Sequence, residues 1–299
     1  MKIKLLFISI LLTTLACQRE DPNYKDLSDK TTGADSVFTL TLTATKSNGT
    51  KALDLVNGGN TINAYWTGTD KVKVYRGGTY LGTLDVSPVN GEKPTTATLN
   101  GSITVSNLAK NNTLLLRIPR EIWDYTGQNG TLTGENSIEE KYSYASAIVT
   151  VNSIIGSSAT TTNANFVNDQ SIYRFGFKFN NSYINPKDFT ISASKGKLVQ
   201  SISCVEGLWV PLYGAISVTP AAVPADNLYY ISLRNENTAD DTYSFVITGA
   251  DNALYVASKT IPASVLDAPG KFIGSNNVTV TQPLFSPKGT EISFQTDVY

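Results

Sequence analysis

Short stretches that alternate apolar with polar residues recur along this chain, separated by Asn, Gly and Pro. The clearest is Val37–Ala44, VFTLTLTA: Phe38, Leu40, Leu42 and Ala44 share one face and Thr39, Thr41 and Thr43 the other. That period of two is the pattern of a half-buried strand. In WTGTDKVKVYRGGTYLGTL, Val72 and Val74 alternate with Lys71 and Lys73, and Gly77-Gly78 predicts a hairpin turn that returns over Thr79–Leu84. Strands are also expected at Ala52–Val56, Thr96–Leu99, Ser102–Val105, Thr113–Ile118 and Ala145–Val151, with Asn90-Gly91 and Asn100-Gly101 as turns. Farther along, Ile172–Asn180 sets Phe175, Phe177 and Phe179 against Arg174, Gly176 and Lys178, the pattern of a sandwich's inner face. The pattern continues at Phe189–Ala193, Lys197–Ser203, Ala215–Thr219, Tyr229–Arg234, Thr242–Thr248, Leu254–Lys259 and Asn277–Thr281. One helical turn is expected at Pro262–Leu266, and no long amphipathic helix anywhere. Short strands at regular spacing predict an all-β sandwich architecture, not a parallel α/β sheet.

Two interruptions organise these strands. Pro119–Ser143 is a long excursion holding Trp123 and Tyr125. Ser153–Asn165, SIIGSSATTTNAN, is small and polar and is the candidate boundary between a sandwich over 36–160 and a second over 161–299. A loop inside one large sandwich is the alternative. The start of the chain differs in kind. Lys2 and Lys4 precede the apolar run Leu5–Leu12, and small residues lead into Cys17. This is a secretory signal layout, too short for a bilayer span of about 20 residues. Its end resembles the lipobox of bacterial lipoproteins, with Thr14 where a full match has Leu. The resemblance implies cleavage of residues 1–16 and lipid on Cys17, with 17–35 as a polar tether.

Composition narrows the function. Histidine is absent, net charge is −1, and the cysteines are Cys17 and Cys204. The commonest general base and metal ligand is therefore missing, and no basic block offers a nucleic-acid surface. Cys204, in the alternating run Ile202–Val205, reads as a small buried core residue. The acidic pairs Glu139-Glu140 and Asp240-Asp241 read as solvated turn charges, without the arrangement of a glycosidase or calcium loop. The expectation is a protein that is not an enzyme and has no cofactor and no bound metal.

WTGTDKVKVY at Trp66–Tyr75, YTGQNGTL at Tyr125–Leu132 and KYSYASAIV at Lys141–Val149 resemble the fimbrillin-like lipoproteins, the subunits of type V pili. So does the order of LYGAISV at Leu212–Val218, TYSFVITG at Thr242–Gly249, LYVASKTIPASVL at Leu254–Leu266 and PGKFI at Pro269–Ile273. The resemblance implies two tandem Greek-key, transthyretin-like β-sandwiches. It also implies outer-membrane, cell-surface anchoring and assembly with other fimbrillin-type subunits by donor strand exchange. Val37–Ala44 matches the removable strand, with Phe38, Leu40 and Leu42 as its plugs. An Arg-specific protease frees that strand in the family, but no arginine follows it here until Arg76, so Lys46 and Lys51 remain as candidates for a processing loop. At the other end Ile292 and Phe294 share a face, and this segment either donates a strand or completes its own domain. A glycan-binding surface lipoprotein is the competing function, with Trp123 as the residue to stack on a sugar.

Overall fold

The computed structural model describes residues 34–46, 54–57, 62–89, 91–118, 122–266 and 272–282. Nearly all regular structure in it is strand. In chain order these are β1 Ser36–Lys46, β2 Asp54–Asn57, β3 Ile62–Tyr65, β4 Lys71–Arg76, β5 Thr79–Pro88, β6 Thr96–Val105 and β7 Thr113–Ile118. Next come β8 Trp123–Asp124, α1 Ile138–Lys141, β9 Ala145–Ile155, β10 Ser158–Thr161, β11 Ala164–Asn168, β12 Ser171–Phe179 and β13 Ser182–Tyr183. The remainder are β14 Pro186–Ala193, β15 Val199–Val205, β16 Leu208–Tyr213, β17 Ile216–Val218, β18 Tyr229–Leu233, β19 Asp241–Gly249, β20 Leu254–Ile261, α2 Ala263–Leu266 and β21 Phe272–Thr279.

The first large sheet closes on itself. Its pairing runs from β1 through β10 and β11 to β9, β7, β4, β5 and β6, and β6 pairs back onto β1. Inside lie Leu40, Val72, Val74, Leu84, Leu99, Leu116 and their neighbours, all buried. Asn100-Gly101 is not a turn here, because β6 runs straight through it. A Cβ on Gly101 would meet the Thr83 carbonyl oxygen at 2.5 Å, and one on Gly82 would meet that of Ser102 at 2.3 Å. The glycines let β5 and β6 approach, which is a second use of glycine that sequence alone confuses with a turn. Ser153–Asn165 is likewise no linker. It forms the end of β9, all of β10 and the start of β11, and Phe166 beyond it is fully buried in the first core.

The second core lies between the sheet of β12, β13, β18 and β21 and the sheet of β17, β14, β19 and β20. Its centre is aromatic. Phe175 meets Phe245 edge-on at 5.1 Å between ring centroids, Phe177 meets Phe189 at 5.0 Å, and Phe177 also meets Phe245 at 5.5 Å. The three-phenylalanine pattern in β12 thus faces inward, as its alternation predicts. The excursion before β9 packs here too: Trp123, Tyr125 and Tyr144 belong to this second cluster. It is held by the fully buried Gln128, whose Nε2 donates to the carbonyls of Tyr125 and Ser232 at 2.9 and 2.7 Å while its Oε1 accepts from the Ser232 amide at 2.7 Å.

Strands β8, β15 and β16 form a small sheet connecting the two regions. The Glu206-Gly207 turn between β15 and β16 has φ values of 51° and 84°. It packs so tightly on the β4–β5 turn that a Cβ on Gly78 would lie 2.2 Å from the Gly207 carbonyl oxygen. Behind this contact, the Arg117 guanidinium lies between two indoles, its Cζ 3.6 Å from the ring centroids of both Trp123 and Trp209. Tyr144 stacks on the Trp123 ring at 5.2 Å, and Tyr75 meets Trp209 edge-on at 5.2 Å. Burial lowers the Arg117 pKa to about 10, opposed by the Asp169 carboxylate; Asp169 is itself raised to about 6 by burial against the pull of Arg234 and Arg117. Cys204 is exposed, not core, and its Sγ donates to the Gly78 carbonyl at 3.4 Å. Burial along β15 does not follow the alternation of the sequence: Val199 and Ile202 are buried, whereas Cys204 and Val205 at the turn end are both exposed. Asp241 also departs from expectation. It is 1% exposed, and although burial would raise its pKa, donors from Asn235, Ser194 and the Lys195 and Thr242 amides hold it below the usual carboxylate value.

Replacing Arg117 with alanine should remove the filling of the two-indole slot and cost roughly 2–4 kcal/mol of stability, the scale of a buried cavity. Urea unfolding followed by tryptophan emission measures this. A loss below about 0.5 kcal/mol, typical of surface sites, means the stack is ornamental.

Candidate functional site

Strand β1 is the one predicted site element the structure describes in full. Its sequence alternates, so one face can be apolar while both backbone edges pair. On one side it runs antiparallel to β6 from Ser36 opposite Val105 to Thr45 opposite Thr96. On the other it runs parallel to β10 (Thr39 opposite Ser158) and then to β11 (Ala44 opposite Ala164). It therefore joins β6 to the β10–β11 edge and completes the ring. The inward residues are Leu40, Leu42 and Ala44, at 0%, 5% and 0% exposure, with Phe38 partly buried against the same core. Opposite them in register lie Ile103, Leu99 and Ala97 on β6 and Ala159 and Ala164 beyond. The outward threonines are held laterally: Thr41 donates to Asn100 Oδ1 at 2.9 Å and Thr45 to Asn165 Oδ1 at 2.6 Å.

Without β1, two unpaired strand edges would flank a trough lined by those apolar residues. An extended segment of matching alternation satisfies such a trough with main-chain hydrogen bonds and side-chain plugs. At roughly 1.5–3 kcal/mol per large buried side chain, Leu40, Leu42 and Phe38 contribute several kcal/mol.

The end of the strand is a correction. Lys46 is not in an exposed processing loop; it is the last residue of β1, and its side chain is fully buried. Its Nζ lies 3.4 Å from Asp70 Oδ2, donates to the Tyr65 carbonyl at 3.2 Å and sits 3.3 Å above the Trp66 ring. Asp70 is in turn held by the Thr67 amide at 3.0 Å and the Thr67 hydroxyl at 2.9 Å. The sequence signal for this latch was present but unreadable as such. In the TGTD turn after Trp66, the Thr67–Asp70 spacing is that of a side-chain-capped turn, yet nothing in one dimension links it to Lys46. Burial lowers the Lys46 pKa to about 7 from its ordinary 10.5, with Asp70 opposing through its charge and hydrogen bond.

Trp123 offers no sugar platform. It is 2% exposed, with Arg117 and Tyr144 against its ring. Cys17, Lys51, Ile292 and Phe294 lie outside the described residues. No group of His, Cys, Asp and Glu side chains suited to a metal ion occurs among the described residues.

An exposed apolar face lies elsewhere, on β16, where Leu208, Val210 and Leu212 are 60%, 44% and 58% exposed. Val205 and Leu208 close the two-residue turn, so the alternate residues Trp209, Pro211 and Tyr213 direct their backbone groups to the open edge. Pro211 has no N–H to present there, which blunts strand addition. Strand addition is thus opposed at β16.

Two outcomes test the latch. Asp70→Ala leaves Lys46 buried without its partner and should cost about 3–5 kcal/mol in chemical unfolding, whereas Lys46→Met with Asp70→Asn should recover most of that loss. Between pH 7 and 10.5 the unfolded chain binds more protons at Lys46 than the folded one, so stability rises with pH across that window. The parent chain should therefore gain stability relative to Lys46→Met as pH is raised from about 7 to about 10; parallel curves would exclude the buried amine as the cause.

No family model matches the chain, and no curated protein does. Among solved structures it is similar to a candidate cell adhesion protein of Bacteroides ovatus, at 13% identity over 83% of this chain and 96% of that one, with a TM-score of 0.42. It is also similar to the tip fimbrial protein Mfa3 of Porphyromonas gingivalis, at 10% identity over 75% and 81%, with a TM-score of 0.35. A third likeness is to a fimbrial assembly protein of Parabacteroides distasonis, at 9% identity over 82% and 91%, with a TM-score of 0.32.

Proposed function

We propose that this chain is a structural and adhesive subunit of a cell-surface fimbria, carried by lipid on Cys17 and joined to neighbouring subunits by exchange of the strand at the β1 position. The observation that carries this reading is the double pairing of β1: one alternating strand closes the first sheet along both its edges. The two regions around the two large cores correspond to the two tandem sandwiches, with their boundary near the β11–β12 turn at Asp169-Gln170 rather than at 160. The Greek-key, transthyretin-like connectivity belongs to the same proposal. The fimbrial tip role named for the Porphyromonas protein is of this class.

Burial of Lys46 bears on which kind of subunit this is. A protease that opens the chain after β1 must use a site past the latch, and Lys51 is the remaining basic residue before β2. A chain left uncut there retains its own β1 and accepts no donor at that seam, which suits an anchor or tip; its partner contact then runs through the C-terminal segment with Ile292 and Phe294.

The test uses the mature chain sheared from cells and a version lacking residues 1–46. Mass analysis of the sheared protein should show either a lipid-modified Cys17 or a start at Ala52. The shortened chain should remain monomeric and folded only when supplied with a peptide of residues 36–46. A peptide carrying Leu40→Asp and Leu42→Asp should fail to rescue it, since each substitution forfeits about 1.5–3 kcal/mol of burial. A shortened chain that is equally stable without peptide would remove β1 as the exchange site.

A further inference from the structure

The closed sheet of the first region has two ends, and the chain enters it at one of them. The described residues begin at 34, and β1 starts two residues later with Ser36 opposite Val105 at the end of β6. Strand pairing gathers other turns at this end. Thr39 of β1 lies opposite Ser158 of β10, and Ser158 opposite Ile155, so the β9–β10 turn is beside the start of β1. On the other side, Arg76 at the end of β4 donates through Nη1 to the Ser106 carbonyl at 3.0 Å, one residue past Val105. The Gly77-Gly78 turn that follows is the one against which the Glu206-Gly207 turn of the β15–β16 hairpin packs. One end of the sheet thus carries the start of β1, the β4–β5 and β9–β10 turns and the tip of the hairpin.

Large apolar side chains stand exposed around it. Val37 on β1, Tyr80 after the β4–β5 turn, Ile155 at the β9–β10 turn, and Val205 and Leu208 flanking Glu206-Gly207 are between 46% and 79% exposed. Rings tie Tyr80 to the hairpin: it meets Tyr75 at 5.7 Å between centroids, and Tyr75 meets Trp209 at 5.2 Å. Among the described residues the charges at this end are sparse and mixed, with Asp35 and Glu206 against Lys73, Arg76 and Lys110. Single exposed apolar residues need no explanation, but several gathered where charges of both signs are few mark a contact surface.

The chain that leads into this end identifies what the surface meets. Residues 17–33 join Cys17 to the described chain, and fully extended they reach at most about 60 Å. A lipid on Cys17 therefore keeps the bilayer within reach of this end. Tethering makes the contact intramolecular, so side chains too few to hold a free protein on a membrane suffice. A second copy fits less well, because two chains anchored in one bilayer both direct this end toward it and cannot join end to end.

We propose that this end of the first sheet rests on the bilayer that holds Cys17, with Val37, Tyr80, Ile155, Val205 and Leu208 as its apolar contacts. The inference rests on the lipid-anchor reading of Cys17 and concerns the uncut chain, in which β1 is continuous with residues 17–33.

The chain of residues 17–299 is prepared with Cys204→Ser and coupled through Cys17 to a maleimide phospholipid in phosphatidylcholine vesicles. Coupling supplies the anchor whether or not cells lipidate Cys17, which mass analysis decides separately. A tryptophan is added by Leu208→Trp at this end or by Thr260→Trp on β20, and the emission of the parent is subtracted. Phosphatidylcholine brominated near the headgroup should quench the Leu208→Trp increment roughly twofold or more, at low and high salt alike, and leave that of Thr260→Trp unchanged. Adding Val37→Asp and Ile155→Asp, both at exposed positions, should abolish the quenching without moving the urea unfolding midpoint. The proposal is overturned if the two tryptophan increments are quenched alike or not at all, or if quenching disappears at high salt. It is equally overturned if quenching appears only at surface densities where copies touch, or if the aspartate substitutions leave it unchanged in the folded chain.

Discussion

A strand has two backbone edges, and in β1 both are engaged while its apolar face fills the core beneath. This is the constraint from which the rest of the first region follows. The closed order of its sheet exists because β1 carries hydrogen bonds from β6 on one side to β10 and β11 on the other. Its inward Leu40, Leu42 and Ala44 are the residues over which the neighbouring strands pack. A segment so placed is the closure of the fold, since without its two engaged edges the sheet would stay open between β6 and the β10–β11 pair.

Buried charge marks the ends of this arrangement. Lys46 terminates β1 in a site shared with Asp70 and the Trp66 ring, and Arg117 occupies the slot between Trp123 and Trp209. In each case a cation is desolvated and compensated by an acidic group and an aromatic face. Such sites contribute little net stability over an apolar replacement, but removing one member alone is costly. Lys46, the last residue of β1, is held by Asp70, the Tyr65 carbonyl and the Trp66 ring, and Arg117 of β7 stacks on Trp209 where the β15–β16 hairpin packs on the first sheet.

The alternation read from the chain located most strands, because period two is a local property that burial on one face imposes residue by residue. β7 was expected at Thr113–Ile118 and occupies those residues, and the inward phenylalanines of β12 were legible for the same reason. Some local chemistry has two structural meanings, and spacing alone does not choose between them. Asn100-Gly101 has turn composition, yet glycine there serves close approach of β5, a fact that resides in a strand nearly twenty residues earlier. Ser153–Asn165 is small and polar like a linker, but edge strands with solvent-facing threonines have that composition too.

By itself the sequence determined the all-β class, the alternating faces of strands such as β1, whose Leu40 and Leu42 turn inward, and the absence of histidine, since each depends on residue type and short-range spacing alone. Tertiary structure decided which edges β1 joins, that Lys46 is latched instead of exposed, and that Trp123 is clamped between Arg117 and Tyr144. The reason is physical. Those outcomes depend on which distant strands share a wall, and the energy of a buried charge is set by neighbours that lie far away along the chain.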